Sequence, residues 1–208
     1  MKKIVIIGAS GHGKVVADIA QKNNYDKIIF LDDNFQLKEC EGFPVCGTVE
    51  DIQQYTSWDF VVAIGDANAR ANIFCILEEH GCNIVSLVHP EAAVAEDVVI
   101  GKGTVVMAGT VINPGAMIGK GCIINTCSSV DHDCKIGDFV HVAVGSHICG
   151  TVTVGDKTWI GAGAVTLNNL SICDNCMVGA GATVIDNIVH SGTYIGTPAK
   201  MLKKVAIV

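Results

Sequence analysis

Two carboxylates flank a histidine at Asp131-His132-Asp133, inside a stretch otherwise built from apolar and small residues. A carboxylate beside an imidazole holds one ring tautomer and raises the basicity of the other nitrogen. A histidine starts near a pKa of about 6.5, so a modest upward push makes it a competent base at neutral pH. His141 follows nine residues later and His147 six after that. Three histidines on neighbouring faces could instead gather a zinc ion between subunits, which leaves a metal reading beside the base reading. His147 and His190 read as ordinary solvated side chains.

A second candidate is Gly8-Ala-Ser-Gly-His-Gly13, lying between an apolar run and a helical pattern. Backbone N–H groups and the helix dipole at such a junction cradle phosphate. Asp32 and Asp33 close the next apolar run, where a carboxylate can accept hydrogen bonds from a ribose or a base. The spacing Gly8-x-x-Gly11-x-Gly13 is not G-x-G-x-x-G, so the turn points to a nucleotide or phosphate and not to NAD in particular. Glycines needed only for a tight turn remain the competing reading, although His12 inside the turn is hard to justify by packing. Cys173-x-x-Cys176 has no second such pair, and Cys176 occupies a position that elsewhere takes small buried residues. It reads as packing.

The elements that hold these residues follow from periodicity. From Val94 to Val184 every sixth residue is Val or Ile except Thr166, fifteen of sixteen positions. Neither a helix nor an alternating strand needs that beat. Short parallel strands stacked coil upon coil do, each Val or Ile pointing into a shared interior. Three units make a triangular coil of eighteen residues, so residues 91 to about 190 supply about five coils. Small residues recur at the fifth place of the unit, among them Thr104, Ala116, Cys122, Cys134, Ala164 and Cys176. Glycines at the second place (Gly101, Gly119, Gly137, Gly155, Gly161, Gly179) are expected to mark the turns.

Residues 1–88 alternate strand and helix signals instead. Strands are expected over Ile4–Ile7, Ile28–Leu31, Phe60–Ile64 and Ile84–Val88, and helices over Val15–Lys22 and Ala67–Glu79, the latter closed by Gly81. Apolar strands interleaved with helices imply an α/β, Rossmann-like domain with a small doubly wound sheet. The texture changes at His89-Pro90, so the two domains are expected at 1–88 and 89–208. Met201–Val208 reads as a short apolar end interrupted by two lysines.

Bulk composition narrows the function. Half of the 208 residues are hydrophobic, and 14 Lys and Arg against 21 Asp and Glu give a net charge of −7. An acidic chain argues against nucleic acid or an anionic membrane as partner. Ten cysteines suggest a reducing compartment. The apolar run before Gly8 is four residues long, too short for a signal peptide or a membrane span, so the cytoplasm is expected.

The Gly8–Gly13 turn, the segment Asn125-Thr-Cys-Ser-Ser-Val-Asp-His-Asp-Cys134 and the exit Gly196-Thr-Pro-Ala-Lys200 together resemble the bacterial sugar O- and N-acyltransferases of the hexapeptide superfamily. That group includes the sialic acid O-acetyltransferases and the N-acetyltransferases acting on UDP-4-amino-sugars in bacillosamine biosynthesis, to which the likeness is greatest. The resemblance covers essentially the whole chain. It implies a left-handed parallel β-helix, a homotrimer, acetyl-CoA between neighbouring prisms, and a nucleotide-sugar, of UDP type, on the N-terminal domain. It implies that His132 is the general base and that Asp133, where the bacillosamine-type enzyme has Glu, raises its basicity. Ser10, Gly11, His12, Asp32, Asp33 and Gly65 match its UDP-sugar contacts. His141, Gly150, Ala162 and Ala180 match its acetyl-CoA contacts, and no metal is implied. Without a nucleophilic serine or cysteine motif, direct acyl transfer is expected, with a backbone N–H stabilising the oxyanion; the resemblance implies that of Gly150. Acetylation of a sugar hydroxyl on the same fold, a zinc hydratase on a similar prism, and a non-catalytic nucleotide-sensing module are the alternatives.

Overall fold

The computed structural model describes residues 1–202. The apolar end expected at Met201–Val208 lies, beyond Leu202, outside the described residues.

The N-terminal part is a four-stranded parallel sheet in the order β2-β1-β5-β6, made of β1 (Lys3–Ile7), β2 (Lys27–Leu31), β5 (Asp59–Val62) and β6 (Asn83–Ile84). A short antiparallel hairpin, β3 (Glu39–Cys40) and β4 (Phe43–Pro44), follows β2. The two helices are α1 (Gly11–Lys22) and α2 (Ala67–Glu79). In α1, Val16, Ala17, Ile19 and Ala20 are buried, the helical spacing that covers one face of a sheet. The helix begins four residues before the expected Val15, because the glycine-rich segment is itself its first turn. Ser10 is the extended residue before it. Gly13 makes this possible: a Cβ there would lie 2.2 Å from the Gly8 carbonyl oxygen.

The strand expected over Ile84–Val88 is split. Asn83–Ile84 closes the sheet as β6, while β7 (Leu87–Val88) pairs with Val105–Val106 as the first rung of the second architecture. The six-residue beat therefore begins at Val88, one unit before Val94. From there the chain winds a left-handed parallel β-helix of about six turns. Its three faces are parallel sheets whose partners are eighteen residues apart, as in Val105↔Ile123, Val111↔Ser129 and Met117↔Lys135. Face one runs from Leu87–Val88 through Ile123–Ile124, His141–Val142 and Trp159–Ile160 to Met177–Val178. Face two runs from Ala93–Val94 to Thr183–Val184, and face three from Val99–Ile100 to Ser171–Ile172.

The second residue of nearly every rung points inward and is buried, from Val106 and Ile112 to Val178 and Val184. Each aliphatic so buried contributes about 1.5–3 kcal/mol. The one departure, Thr166, is equally buried, and its hydroxyl accepts the Cys149 N–H at 3.3 Å. Its polarity is thus matched where it sits.

The turn glycines need correcting. Left-handed backbone recurs at the fourth place of every unit from Gly103 to Gly181, with φ between 54° and 75°, and non-glycines such as Cys127, Asp133 and Asn175 adopt it too. The second-place glycines have no positive φ. They are small because coils stack there: a Cβ on Gly101 would lie 2.5 Å from the Gly119 carbonyl carbon one coil on.

The N-terminal domain sits on face one. Leu87, Val105 and Ile123, the outward residues of the first rungs, join Ile4, Ile6 and Val16 in one buried cluster. Phe74 of α2 packs edge-on against Phe139 of the prism at 5.5 Å. Arg70, 1% exposed, rivets the junction. It donates to the carbonyls of Ile64 and Gly65 at 2.8 Å, and to those of Gly121 and Phe139 in the prism at 2.7 Å. Among the described residues no helix is long and apolar enough to cross a membrane.

Candidate active site

His132 occupies the edge between faces two and three, opposite face one. The corner geometry explains its environment. Asp133 holds the left-handed corner (φ 58°), a conformation Asp tolerates better than most residues, and its side chain meets the His132 ring. Asp133 Oδ2 lies 2.8 Å from His132 Nδ1. Asp131 does not touch the ring. Its Oδ1 accepts the His132 backbone N–H at 2.8 Å and the Asn113 amide, one coil earlier, at 2.7 Å. Both contacts hold the Asp131 carboxyl below the usual carboxylate range. The hydrogen bond to Asp133, aided by the charge of Asp131, raises the His132 pKa. With Nδ1–H directed at Asp133, the lone pair falls on Nε2, and the side chain is 58% exposed.

Gly150 lies one coil beyond His132. A Cβ there would stand 2.5 Å from Nε2 and 2.7 Å from Cε1, so only glycine leaves the ring its place. The Gly150 N–H has no hydrogen-bond partner among the described residues. A ring nitrogen carrying a lone pair and a free N–H donor thus sit side by side. Gly150→Ala should swing the ring aside and lower kcat by about 10–10²-fold, the scale expected for an ångström of misplacement. The melting temperature should hardly change, since Gly150 has no positive φ. Steady-state kinetics with a melting curve on the same sample checks this; full activity would mean that the ring position is immaterial.

The second locus is a cleft of about 240 Å³ at the carboxyl ends of β1, β2 and β5. Ser10, Asp32, Asp33 and Gly65 line it together with Gly8, Val49 and Ile64. Gly11 and His12 lie beside it in the first turn of α1, which contains no acidic residue and receives no side-chain cap from Ser10. That is the electropositive end an anion needs. Asp32 is partly committed: its Oδ2 accepts Ala9 N–H at 2.7 Å and its Oδ1 accepts Asn34 N–H at 2.8 Å. Asp33 Oδ1 accepts Val49 N–H at 3.1 Å, and its other oxygen has no hydrogen-bond partner among the described residues. His12 faces the domain junction; burial, with the Arg70 charge, lowers its pKa to about 4.

The residues matched to a thioester contact do not gather in one chain. Gly150 shares the His132 edge. Ala162 and Ala180 are exposed and stack one coil apart at the edge between faces one and two, where Gly181 N–H donates to the Ala162 carbonyl at 2.8 Å. His141 is on face one, buried, at the junction with the N-terminal domain. Its ring lies 4.1 Å from the Trp159 ring, tilted by 44°, and burial followed by the Arg70 charge pushes its pKa down to about 3. Sequence reasoning missed Arg70, Asn113, Asn125 and Trp159. Asn113 carried a usable signal, lying eighteen residues before Asp131. Among the described residues no group of three or more His, Cys, Asp or Glu is placed to hold a metal ion.

Comparison with known proteins agrees with this layout. A family model described as the PglD N-terminal domain matches residues 3–77, and one described as bacterial transferase hexapeptide (six repeats) matches residues 151–186. The chain is 33% identical over 113 residues to UDP-N-acetylbacillosamine N-acetyltransferase of Bacillus subtilis (strain 168), a match spanning 52% of each protein. Two solved structures follow it over nearly its whole length. One is the acetyltransferase domain of PglB from Neisseria gonorrhoeae FA1090 in complex with acetyl coenzyme A, with 37% identity, TM-score 0.94, and 97% of this chain and 99% of that one covered. The other is PerB from Caulobacter crescentus in complex with CoA and GDP-perosamine, with 33% identity, TM-score 0.93, and 98% of each chain covered.

Proposed function

We propose, for a chain that belongs to the bacterial sugar acyltransferases of the hexapeptide superfamily, that it transfers the acetyl group of acetyl-CoA to the amino group of a nucleotide-linked 4-amino-sugar, with UDP as the nucleotide. The observation that carries this reading is the His132 edge: Nδ1 tied to Asp133, Nε2 exposed, and a free Gly150 N–H beside it. As the sugar amine attacks the thioester carbonyl, its proton passes to His132 Nε2. The Gly150 N–H stabilises the oxyanion, a contribution of about 3 kcal/mol for a well-placed donor. The imidazolium then returns its proton to the departing thiolate, so coenzyme A leaves as the thiol and the amide is formed.

The layout also supports a homotrimer with sites between subunits. The nucleotide cleft lies on the face-one side of the prism and His132 on the opposite edge, so a sugar held by one copy meets the base of another. The exposed Ala162 and Ala180 leave a smooth edge along which a pantetheine arm can lie. In this reading Ser10, Gly11, His12, Asp32, Asp33 and Gly65 hold the nucleotide-sugar.

Coenzyme A release measured with UDP-, GDP- and TDP-linked 4-amino-sugars, and with hydroxyl acceptors such as a sialic acid, tests the proposal. Release should require an amino-sugar and be fastest with the UDP-linked one. Faster turnover of hydroxyl acceptors would make the protein an O-acetyltransferase, and no release with any acceptor would overturn acyl transfer.

A further inference from the structure

Cys173 and Cys176 flank the last corner between faces three and one: Ile172 ends the last rung of face three, and Met177 opens a late rung of face one. Packing accounts for Cys176, which is 2% exposed at a place filled one coil earlier by the equally buried Thr158. It does not account for Cys173. The same place in the earlier coils holds Gly119, Gly137 and Gly155, and a Cβ on Gly155 would lie 2.7 Å from the Cys173 carbonyl carbon. A side chain fits at Cys173 because no further eighteen-residue coil is laid on it: Ile172 bridges to Ile188, and Met177 pairs with Thr193. A thiol fills the room so made, and its Sγ lies 3.4 Å from Cys176 Sγ.

One hydroxyl holds both residues. Thr158 Oγ1 accepts the Cys176 N–H at 3.1 Å and donates to the Cys173 carbonyl at 3.0 Å. Asn175 takes the left-handed corner between them, with φ 56°. The fold thus places the two sulfurs face to face before any reaction, which makes bond formation between them effectively unimolecular. Among the described residues no group of three His, Cys, Asp or Glu includes the pair as metal ligands. We propose that Cys173 and Cys176 are a modification site, a dithiol that closes to a reversible disulfide on meeting a low-molecular-weight disulfide such as oxidised glutathione. Such bonds are transient where thiols are kept reduced, so closure follows oxidation of the surrounding thiol pool. The partly buried Cys173 reacts first. Burial, together with the contact to Cys173, pushes the Cys176 thiol up to about 12, so Cys176 is not the opening nucleophile. The Cys173 thiolate attacks one sulfur of oxidised glutathione and displaces a glutathione thiolate, leaving a mixed disulfide. Cys176 loses its proton to solvent and attacks Cys173 Sγ, and the second glutathione departs. The pair gives up two electrons and two protons, and oxidised glutathione becomes two molecules of the thiol. This site stands independently of the acyl-transfer reading.

The full chain, incubated folded with oxidised glutathione, acid-quenched, alkylated and digested, tests this by mass spectrometry. The peptide carrying both cysteines should be two hydrogens lighter, and dithiothreitol should restore it. Internal disulfide should outnumber glutathione adduct at Cys173 by at least about 10-fold, while the exposed Cys46, Cys75 and Cys127 take adduct alone. Cys176→Ser, with a wild-type melting temperature, should stop at the adduct on Cys173. Cys173→Ser should leave Cys176 reduced and open to alkylation once unfolded. A glutathione adduct that persists on Cys173 in the wild type would overturn the proposal. Recovery of both cysteines as thiols while the exposed ones carry adduct would overturn it equally.

Discussion

His132→Asn should lower kcat for acetyl transfer by about 10²–10⁴-fold, the range supplied by a positioned base, while coenzyme A binding stays near wild type. The ring is more than half exposed, and its hydrogen bond goes to an equally exposed Asp133 side chain, so removing it unfolds nothing. Asparagine keeps a polar group of similar reach at Nδ1 but offers no basic lone pair at the Nε2 position. The loss therefore falls on the chemical step, and a residual rate from holding two substrates in line should persist. A melting curve and a coenzyme A titration on the same preparation separate this from misfolding. Wild-type turnover would remove His132 from the mechanism.

Arg70→Ala should cost about 3–5 kcal/mol, because each buried carbonyl left without a donor costs about 1–3 kcal/mol before the structure relaxes. Four carbonyls, on Ile64, Gly65, Gly121 and Phe139, lose their donor together, and two of them belong to each domain. Burial lowers the Arg70 pKa only to about 10, so the guanidinium is charged at neutral pH and needs all of these acceptors. For a chain of this size the loss corresponds to roughly 6–20 °C in melting temperature. Arg70→Lys should recover only part of it, because an ammonium cannot present the planar fork that reaches four carbonyls. An Arg70→Ala protein melting within about 2 °C of wild type would show that the junction is held by its apolar contacts alone.

Much of the architecture was legible in the sequence because each rung buries one side chain, and a coil of fixed size leaves no other place for a branched aliphatic. The same logic exposed β7 too late: Val88 lies on the beat, but Ile84–Val88 also reads as one continuous strand. The roles of the glycines were misassigned, since the beat does not say which place turns the corner and which lies against the next coil. Asp133 at a left-handed corner looks, in sequence, like Asp131. Only the corner conformation sends one carboxylate to the ring and the other to backbone. Arg70 was invisible for a different reason. Its four acceptors are backbone carbonyls up to 69 residues away, and no side-chain pattern records a carbonyl. Asn125 and Trp159 likewise act through contacts one coil or nearly one coil away from His141. The glycine-rich segment reads in sequence as a tight turn ahead of a helix at Val15, whereas Gly11–Gly13 already form the first turn of α1, and the commitment of Asp32 to Ala9 and Asn34 depends on how that turn closes.

The pH dependence of kcat/KM, in wild type and in Asp133→Asn, tests the role of His132 most directly. Only the unprotonated ring can accept the proton of the amine, so activity is lost as pH falls through the His132 pKa. Asp133, with Asp131, stabilises the imidazolium and raises that pKa, which sets the acid limb of the wild type above the ordinary imidazole range. Asp133→Asn should move the limb to lower pH while leaving the alkaline side in place. A limb at the same pH in both proteins would mean that another group takes the proton.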